Sequence, residues 1–225
     1  MTKKESMNVN AKSMSVKLQR LLMVMAAIMM AFVIFAACDE GENSGENSTN
    51  VDKDGLTKEI RNIVSDDNLE KFKAIGIEIN GGNKPPNIEG KYLCAPDICI
   101  KSSVPGDPWV GSQMADAELT FSEQNNTKLT VLTYFYQAAG GQTGKGTGSF
   151  IAGSGNKFTV FVKATGTANG LPIETINIYS GEISTSGIKN CHSAQMITKG
   201  NIYTNIPEGE VRLFKYGDGL AERIE

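Results

Sequence analysis

The chain has 225 residues, with 22 Lys and Arg against 25 Asp and Glu and a single histidine, for a net charge of −3. The first 37 residues hold five of the bases and one of the acids, so the remainder carries 17 against 24, a net charge of about −7. Such a surface repels phosphate backbones, which argues against nucleic acid as a partner. A zinc site needs about four ligands and the chain has only one histidine, so neither a metal nor a cofactor is expected.

The N-terminus carries Lys3, Lys4, Lys12, Lys17 and Arg20, followed by the uncharged run LLMVMAAIMMAFVIFAA, Leu21 to Ala37. A basic head, an apolar run and small residues at its end form a secretory signal; Met7 and Met14 are alternative starts. A spanning helix needs about 20 apolar residues, and this run is slightly short. Phe35, Ala36 and Ala37 then precede Cys38. This resembles the bacterial lipobox, with Phe35 where Leu is usual. The resemblance implies a lipoprotein signal peptide over 1–37 and acylation of Cys38 by diacylglycerol and a further fatty chain such as palmitate. Each buried methylene contributes about 0.8 kcal/mol and stable anchoring takes more than one chain, so this modification would hold a domain at a membrane.

Residues 39–55, DEGENSGENSTNVDKDG, contain one large apolar residue, Val51. Acid, Asn, Gly and Ser bury too little surface to offset ordering, so 38–55 reads as a flexible tether. Asp39 resembles the inner-membrane retention signal of enteric lipoproteins. The acids after the cysteine resemble the surface-export signal of Bacteroidetes lipoproteins. The expected address is the outer membrane or cell surface, on either face.

Residues 56–225 form one domain-sized stretch. In GLTKEIRNIVSDDNLEKFKAIG, Leu56, Ile60, Ile63 and Val64 share one helical face, and Leu69, Phe72 and Ile75 restart the period after Ser65. Asp66 and Asp67 suit a helix start and Gly76 a stop, so two short amphipathic helices are expected, lying on the mouth or flank of a β-structure C-terminal to them. After Pro86 the period becomes two. IEGKYLCA, DAELTFSEQN, KLTVLTYFYQA, GTGSFIAG, KFTVFVKATG, LPIETINIYSGEIST, NCHSAQMITKG and EVRLFKYG read as strands. Turn signals such as Gly155-Asn156, Asn169-Gly170 and Ser186-Gly187 separate them. Consecutive strands with short turns favour antiparallel neighbours. The expected fold is mainly β, an antiparallel up-and-down barrel of about eight strands with a short N-terminal helical segment; a two-sheet sandwich is the alternative.

The stretch LEKFKAIGIEINGGNKPPNIEGKYL, Leu69 to Leu93, resembles the opening of lipocalin-like, or calycin-like, lipoproteins of Bacteroidetes type, in which a short helix precedes Gly-x-x-Pro-Pro-x-Ile-x-Gly-x-Tyr. Gly82, Pro85, Pro86, Ile88, Gly90 and Tyr92 occupy those positions. The segment Gly144 to Gly166 is similar to the family's middle hairpin. In lipocalins proper a Gly-x-Trp opens the first strand and a late Arg packs over the Trp. Gly90-Lys91-Tyr92 resembles the first of these, and the resemblance assigns the second part to Arg212. It implies an interior that holds a small apolar molecule.

Cys94 and Cys99 bracket a short loop with Pro96 and are candidates to pair, leaving Cys191 a buried thiol; pairing of Cys191 with either is the alternative. AGGQTGKGT, Ala139 to Thr147, approaches a phosphate loop but lacks its first glycine and reads as a hairpin. NVDKDG, Asn50 to Gly55, resembles half a calcium loop, but the spacing puts Arg61 where the bidentate Glu belongs, a cation in the cation site. His192 has no nucleophile and carboxylate at a telling spacing, and Glu118, Glu174 and Glu182 read as solvated strand faces, so no enzymatic activity is expected. Trp109, in a Pro- and Gly-bounded loop, caps the barrel mouth, touches a ligand or plugs the core. Within the barrel, apolar alternation picks out Tyr134, Phe158, Val160, Ile178 and Met196 as the lining of a small-ligand site. The alternative is a filled barrel that serves as a structural or interaction protein at the surface.

Overall fold

The computed structural model describes residues 50–137, 141–200 and 206–225. The expected signal segment, Cys38 and most of the expected tether lie outside the described residues. Two helices come first. Helix α1, Lys58–Ile63, starts at Thr57, whose side chain accepts from the Ile60 amide. Helix α2, Asp66–Ile75, starts at Ser65, whose hydroxyl accepts from the Asn68 amide, and stops at Gly76, which is left-handed at φ 105°. Side-chain oxygens satisfy N–H groups that have no partner within the helix, and glycine takes the left-handed stop without a Cβ penalty. The expected tether is, at its last residues, part of the folded unit. The Asp52 amide donates to the Leu56 carbonyl at 2.9 Å and the Gly82 amide to Gly55 O at 2.8 Å.

After the helices come twelve strands: β1 (Asn83–Lys84), β2 (Gly90–Cys94), β3 (Asp97–Ser102), β4 (Gln113–Met114), β5 (Ala117–Asn125), β6 (Thr130–Gln137), β7 (Gln142–Ser154), β8 (Lys157–Ala168), β9 (Leu171–Ser184), β10 (Gly187–Lys199), β11 (Val211–Tyr216) and β12 (Leu220–Arg223). They belong to one sheet, and eight of them close a ring in the order β2, β5, β6, β7, β8, β9, β10, β12, with β12 returning to β2. Every pairing around the ring is antiparallel. The edge of β10 is shared: its first residues, 187–189, pair with β12, and residues 192–196 pair with β11. β11 carries β3, and β3 carries β4, so β2 with β3, β5 with β4 and β12 with β11 act as three interrupted strands. The β8–β9 turn is tight because Asn169 and Gly170 both have positive φ, 49° and 78°, as a two-residue hairpin of matching twist requires.

Four strands that sequence periodicity missed complete this sheet, the two-residue β1 and β4 together with β3 and β12. β12 has four residues and no alternation long enough to register. β3 was hidden in the segment read as a cysteine-bracketed loop.

Apolar residues bury on both faces of the ring. Inside lies a cluster that includes Tyr92, Leu119, Phe121, Ile151, Phe158, Val160, Ile188 and Cys191. Outside, Ile60, Leu69, Phe72 and Ile75 of the helices, with Leu56 and Val64 flanking α1, cover Ala152, Phe161, Ile176, Ile178, Ala194, Met196, Val211 and Leu213. The helices therefore lie on the flank of the ring, α1 against β7 and β8 and α2 against β11. The chain reaches β2 by crossing this outer face, where the Asn80 side chain donates to Phe158 O at 3.2 Å and Ser180 Oγ at 2.9 Å.

Candidate functional site

The interior of the ring has two unlike ends. One is filled with aromatic side chains. Phe121 sits at its centre, with ring centroids 6.1 Å from Tyr92, 6.3 Å from Phe158 and 6.1 Å from Tyr179. These tilted and edge-on contacts are the favoured geometry for aromatic pairs. The segment after Pro85 closes this end: Gln124 donates to Pro86 O at 2.8 Å and accepts from the Ile88 amide at 2.9 Å. Arg223 then lies 4.9 Å from the Tyr92 ring centroid and donates to its hydroxyl at 2.7 Å. Arg223 thus takes the place over Tyr92 that the resemblance assigned to Arg212. Arg212 belongs to β11, which faces the opposite end.

That opposite end is hollow, with a cavity of about 330 Å³, at the lower edge of the roughly 300–1,000 Å³ typical of small-molecule sites. Small residues on neighbouring strands leave the space: Gly144 and Gly146 on β7, and Ala164, Gly166 and Ala168 on β8. Gly166 cannot be enlarged, because a Cβ there would collide with the Thr143 carbonyl oxygen. Gly144 can, since its nearest neighbour would be the Ala164 Cβ at 3.9 Å. Phe135, Val162, Tyr179 and Phe214 supply apolar and aromatic wall. Polar side chains of β9 and β10 supply the rest and satisfy one another: Gln195 donates to Asn177 at 3.1 Å, and Asn177 to Thr175 at 2.8 Å. Tyr216 donates to Ser193 at 2.6 Å.

The loop between β3 and β4 brings Trp109 to this wall, half-exposed. Asp107 in the same loop receives two hydrogen bonds from the buried Arg212, at 2.7 Å from Nε and 3.1 Å from Nη2, and Arg212 lies 5.8 Å from the Trp109 ring centroid. Burial on its own would raise the Asp107 carboxyl. Hydrogen bonds from Arg212, Ser102 and the Trp109 amide outweigh it and bring the carboxyl down to about 2.

Asp97, on β3, has the opposite environment. Burial first, and the neighbouring acid Asp116 second, raise its pKa to about 7. Its Oδ2 has a long contact, 3.5 Å, from Gln137 Nε2, and its Oδ1 has no hydrogen-bond partner among the described residues. Two further buried oxygens share that condition, Thr133 Oγ1 and Ser149 Oγ. Thr133 lines the cavity, and Ser149 is the register partner of Val162, which also lines it.

None of the five residues picked from apolar alternation reaches this cavity. Phe158 and Val160 lie inside the ring but in the interior cluster. Ile178 and Met196 face outward beneath the helices, and Tyr134 is exposed. On β9 and β10 the polar alternates, Thr175, Asn177, Ser193 and Gln195, face inward instead. Of the aromatic trio on β6, Phe135 is the one that points in.

The three described cysteines are free thiols. Cys94 and Cys99 do not bracket a loop. They lie on β2 and β3, which continue in one direction, since Cys94 pairs with Ala117 and Asp97 with Met114. At about 3.3 Å per extended residue, this carries them beyond the roughly 7 Å Cα separation that a disulfide bridges. Cys94 and Cys191 share the interior cluster instead, and burial raises both thiols.

His192 is on the outer side of β10, its Nδ1 2.9 Å from Asn190 O. Glu118, Glu174 and Glu182 are paired separately with Lys91, Lys199 and Lys157 at 2.9, 3.3 and 3.7 Å. Arg61 fills the place of a cation: it donates to Asp52, Asp54 and Asp66 at 2.8, 2.6 and 2.9 Å. The glycine-rich AGGQTGKGT segment is, from Gln142 onward, part of β7; Ala139 is outside the described residues. No group of three metal-ligating side chains occurs among the described residues, and no helix among them is long and apolar enough to cross a membrane.

No family model, curated protein or solved structure matches this chain.

Proposed function

We propose that this chain is an exported, lipid-anchored lipoprotein whose ring of strands is a lipocalin-like barrel that binds one small amphipathic molecule. The observation that carries the binding reading is the hollow end: a cavity of about 330 Å³ walled by apolar side chains and containing buried polar atoms without partners among the described residues. An eight-stranded barrel is just wide enough either to fill with side chains or to hold one small ligand, and here one end does each. Support for the anchor is the apolar run ending at Ala36-Ala37-Cys38 and the acidic tether after it, which together favour the outer membrane or cell surface as the domain's address.

The test of binding is titration of the full chain with 1-naphthol, an apolar fluorophore of about eleven heavy atoms, close to what the cavity takes. The expected result is a saturable, blue-shifted emission that Gly144→Leu abolishes without lowering the melting temperature. A saturable signal that survives Gly144→Leu overturns the cavity as the site, and no signal from either protein overturns binding in favour of a purely structural role. The anchor is tested by mass spectrometry of the native protein, which should begin at an acylated Cys38. Retention of any of Leu21 to Ala37 would remove it.

A further inference from the structure

We propose that the molecule taken by the cavity is an amine, with a protonated amino group set against Asp97 and an apolar body along Phe135, Val162, Tyr179 and Phe214. The inference rests on reading the hollow end as a ligand site, and it adds the chemical class of what enters.

Asp97 is 5% exposed and lines the cavity. Among the described residues its Oδ1 has no partner, and its Oδ2 has one distant amide. Burying a carboxyl so poorly served costs free energy, and no cation pairs with it among the described residues. The neighbouring charge that acts on it, Asp116, is another acid. The other charged group at the cavity wall, Arg212, is held by two hydrogen bonds to Asp107 in the overlying loop.

These two facts rank the ligand classes. A carboxylate ligand would meet an uncompensated acid at Asp97 and a guanidinium already matched to a carboxylate, so it is disfavoured twice. An alcohol donates one neutral hydrogen bond and leaves the charge of Asp97 unbalanced. An ammonium group brings three donors and the missing positive charge, and hydrogen bonds between charged partners are about twice as strong as neutral ones. Of the rest of the wall, Thr175, Asn177 and Gln195 are joined by hydrogen bonds, as are Ser193 and Tyr216, and the Thr133 hydroxyl, without a partner among the described residues, is the further polar atom a ligand would meet. At about 30 Å³ per water-sized group, the cavity takes a body of roughly ten heavy atoms.

The experiment is calorimetric titration of the full chain with octylamine, octanol and octanoate, which share one apolar body. It is run at about pH 8, where octylamine is protonated and Asp97, which titrates near 7, is mostly ionised. Octylamine is expected to bind at least about tenfold more tightly than octanol, with octanoate weakest. In Asp97→Asn, which keeps the side-chain shape, the gap between amine and alcohol closes. Equal or better binding of octanol or octanoate to the wild-type chain overturns the amine and leaves the cavity standing, as does a gap that persists in Asp97→Asn. Failure of all three to bind overturns the ligand site and the amine together.

Discussion

The two ends of the ring are built from the same strands and obey different rules. At the closed end Tyr92, Phe121, Phe158 and Ile188 fill the interior, each 1% exposed or less. At the open end the same strands present Gly144, Gly146, Ala164 and Gly166, and the interior is empty where the closed end is full. β8 shows the change within one strand: Phe158, then Val160 and Val162, then Ala164 point inward, from large to small. Close packing is therefore concentrated at one end and open space at the other, so each can be altered with limited effect on its counterpart.

The largest effect should come from the closed end. Phe121→Ala removes the ring on which three other aromatic rings pack, and large-to-small changes of this kind cost about 3–5 kcal/mol. Denaturant titration should show that loss. A cost under about 1 kcal/mol would mean that the closed end is no better packed than the open one.

Next is the Arg212–Asp107 pair, which ties the β3–β4 loop to the open end. Asp107→Ala takes both of its acceptor oxygens from a buried guanidinium, a change that costs about 3 kcal/mol or more. It should also change Trp109 emission, because Arg212 lies over that ring. A loss of stability with no change in Trp109 emission would separate the pair from the loop.

The pH dependence should show the two acids with opposite signs. The Asp97 carboxyl is raised from its ordinary 3.8 to about 7. Between those values the folded chain holds a proton that the unfolded chain has released, so stability falls as pH rises from about 4 to about 7, by a few kcal/mol. Asp97→Asn should flatten that slope. Asp107 is lowered to about 2, so its contribution is present above about pH 4 and is lost as pH falls toward 2. Chemical denaturation at a series of pH values reads both, and an unchanged slope in Asp97→Asn would show that Asp97 is not the acid responsible.

The smallest effect on stability should be that of Gly144→Leu, within about 1 kcal/mol, because its Cβ meets only the Ala164 Cβ at 3.9 Å. A large loss there would mean that the open end is tightly packed, contrary to the comparison.

Much of the framework was legible in the chain. Two helices were expected and Gly76 stops the second as read, with Asp66 and Asp67 in its first turn; the capping residues themselves, Thr57 and Ser65, were not singled out. The strand runs and the Asn169-Gly170 turn were visible in alternation and turn chemistry, and Arg61 stands among carboxylates as the loop spacing required. The four-residue β12 was not legible, because a strand that short carries no period, although it joins β10 to β2 and closes the ring. Nor were the lining residues. Ile178 and Met196 are as apolar as an interior should be, yet they pack under helices. A usable signal did exist: glycines and alanines on two adjacent strands, Gly144, Gly146, Ala164 and Gly166, mark a place where nothing large fills the middle.

Alternation along the chain determined that these segments are strands and which residues share a side. It could not determine which side is inside, because a strand buried on both faces offers two apolar answers. Docking of α1 and α2 on the outer face made that choice. It turned Ile176, Ile178, Ala194 and Met196 outward and left Thr175, Asn177, Ser193 and Gln195 to face the cavity. A period of two labels faces only relative to each other, and only packing partners distant in sequence assign one of them to the interior.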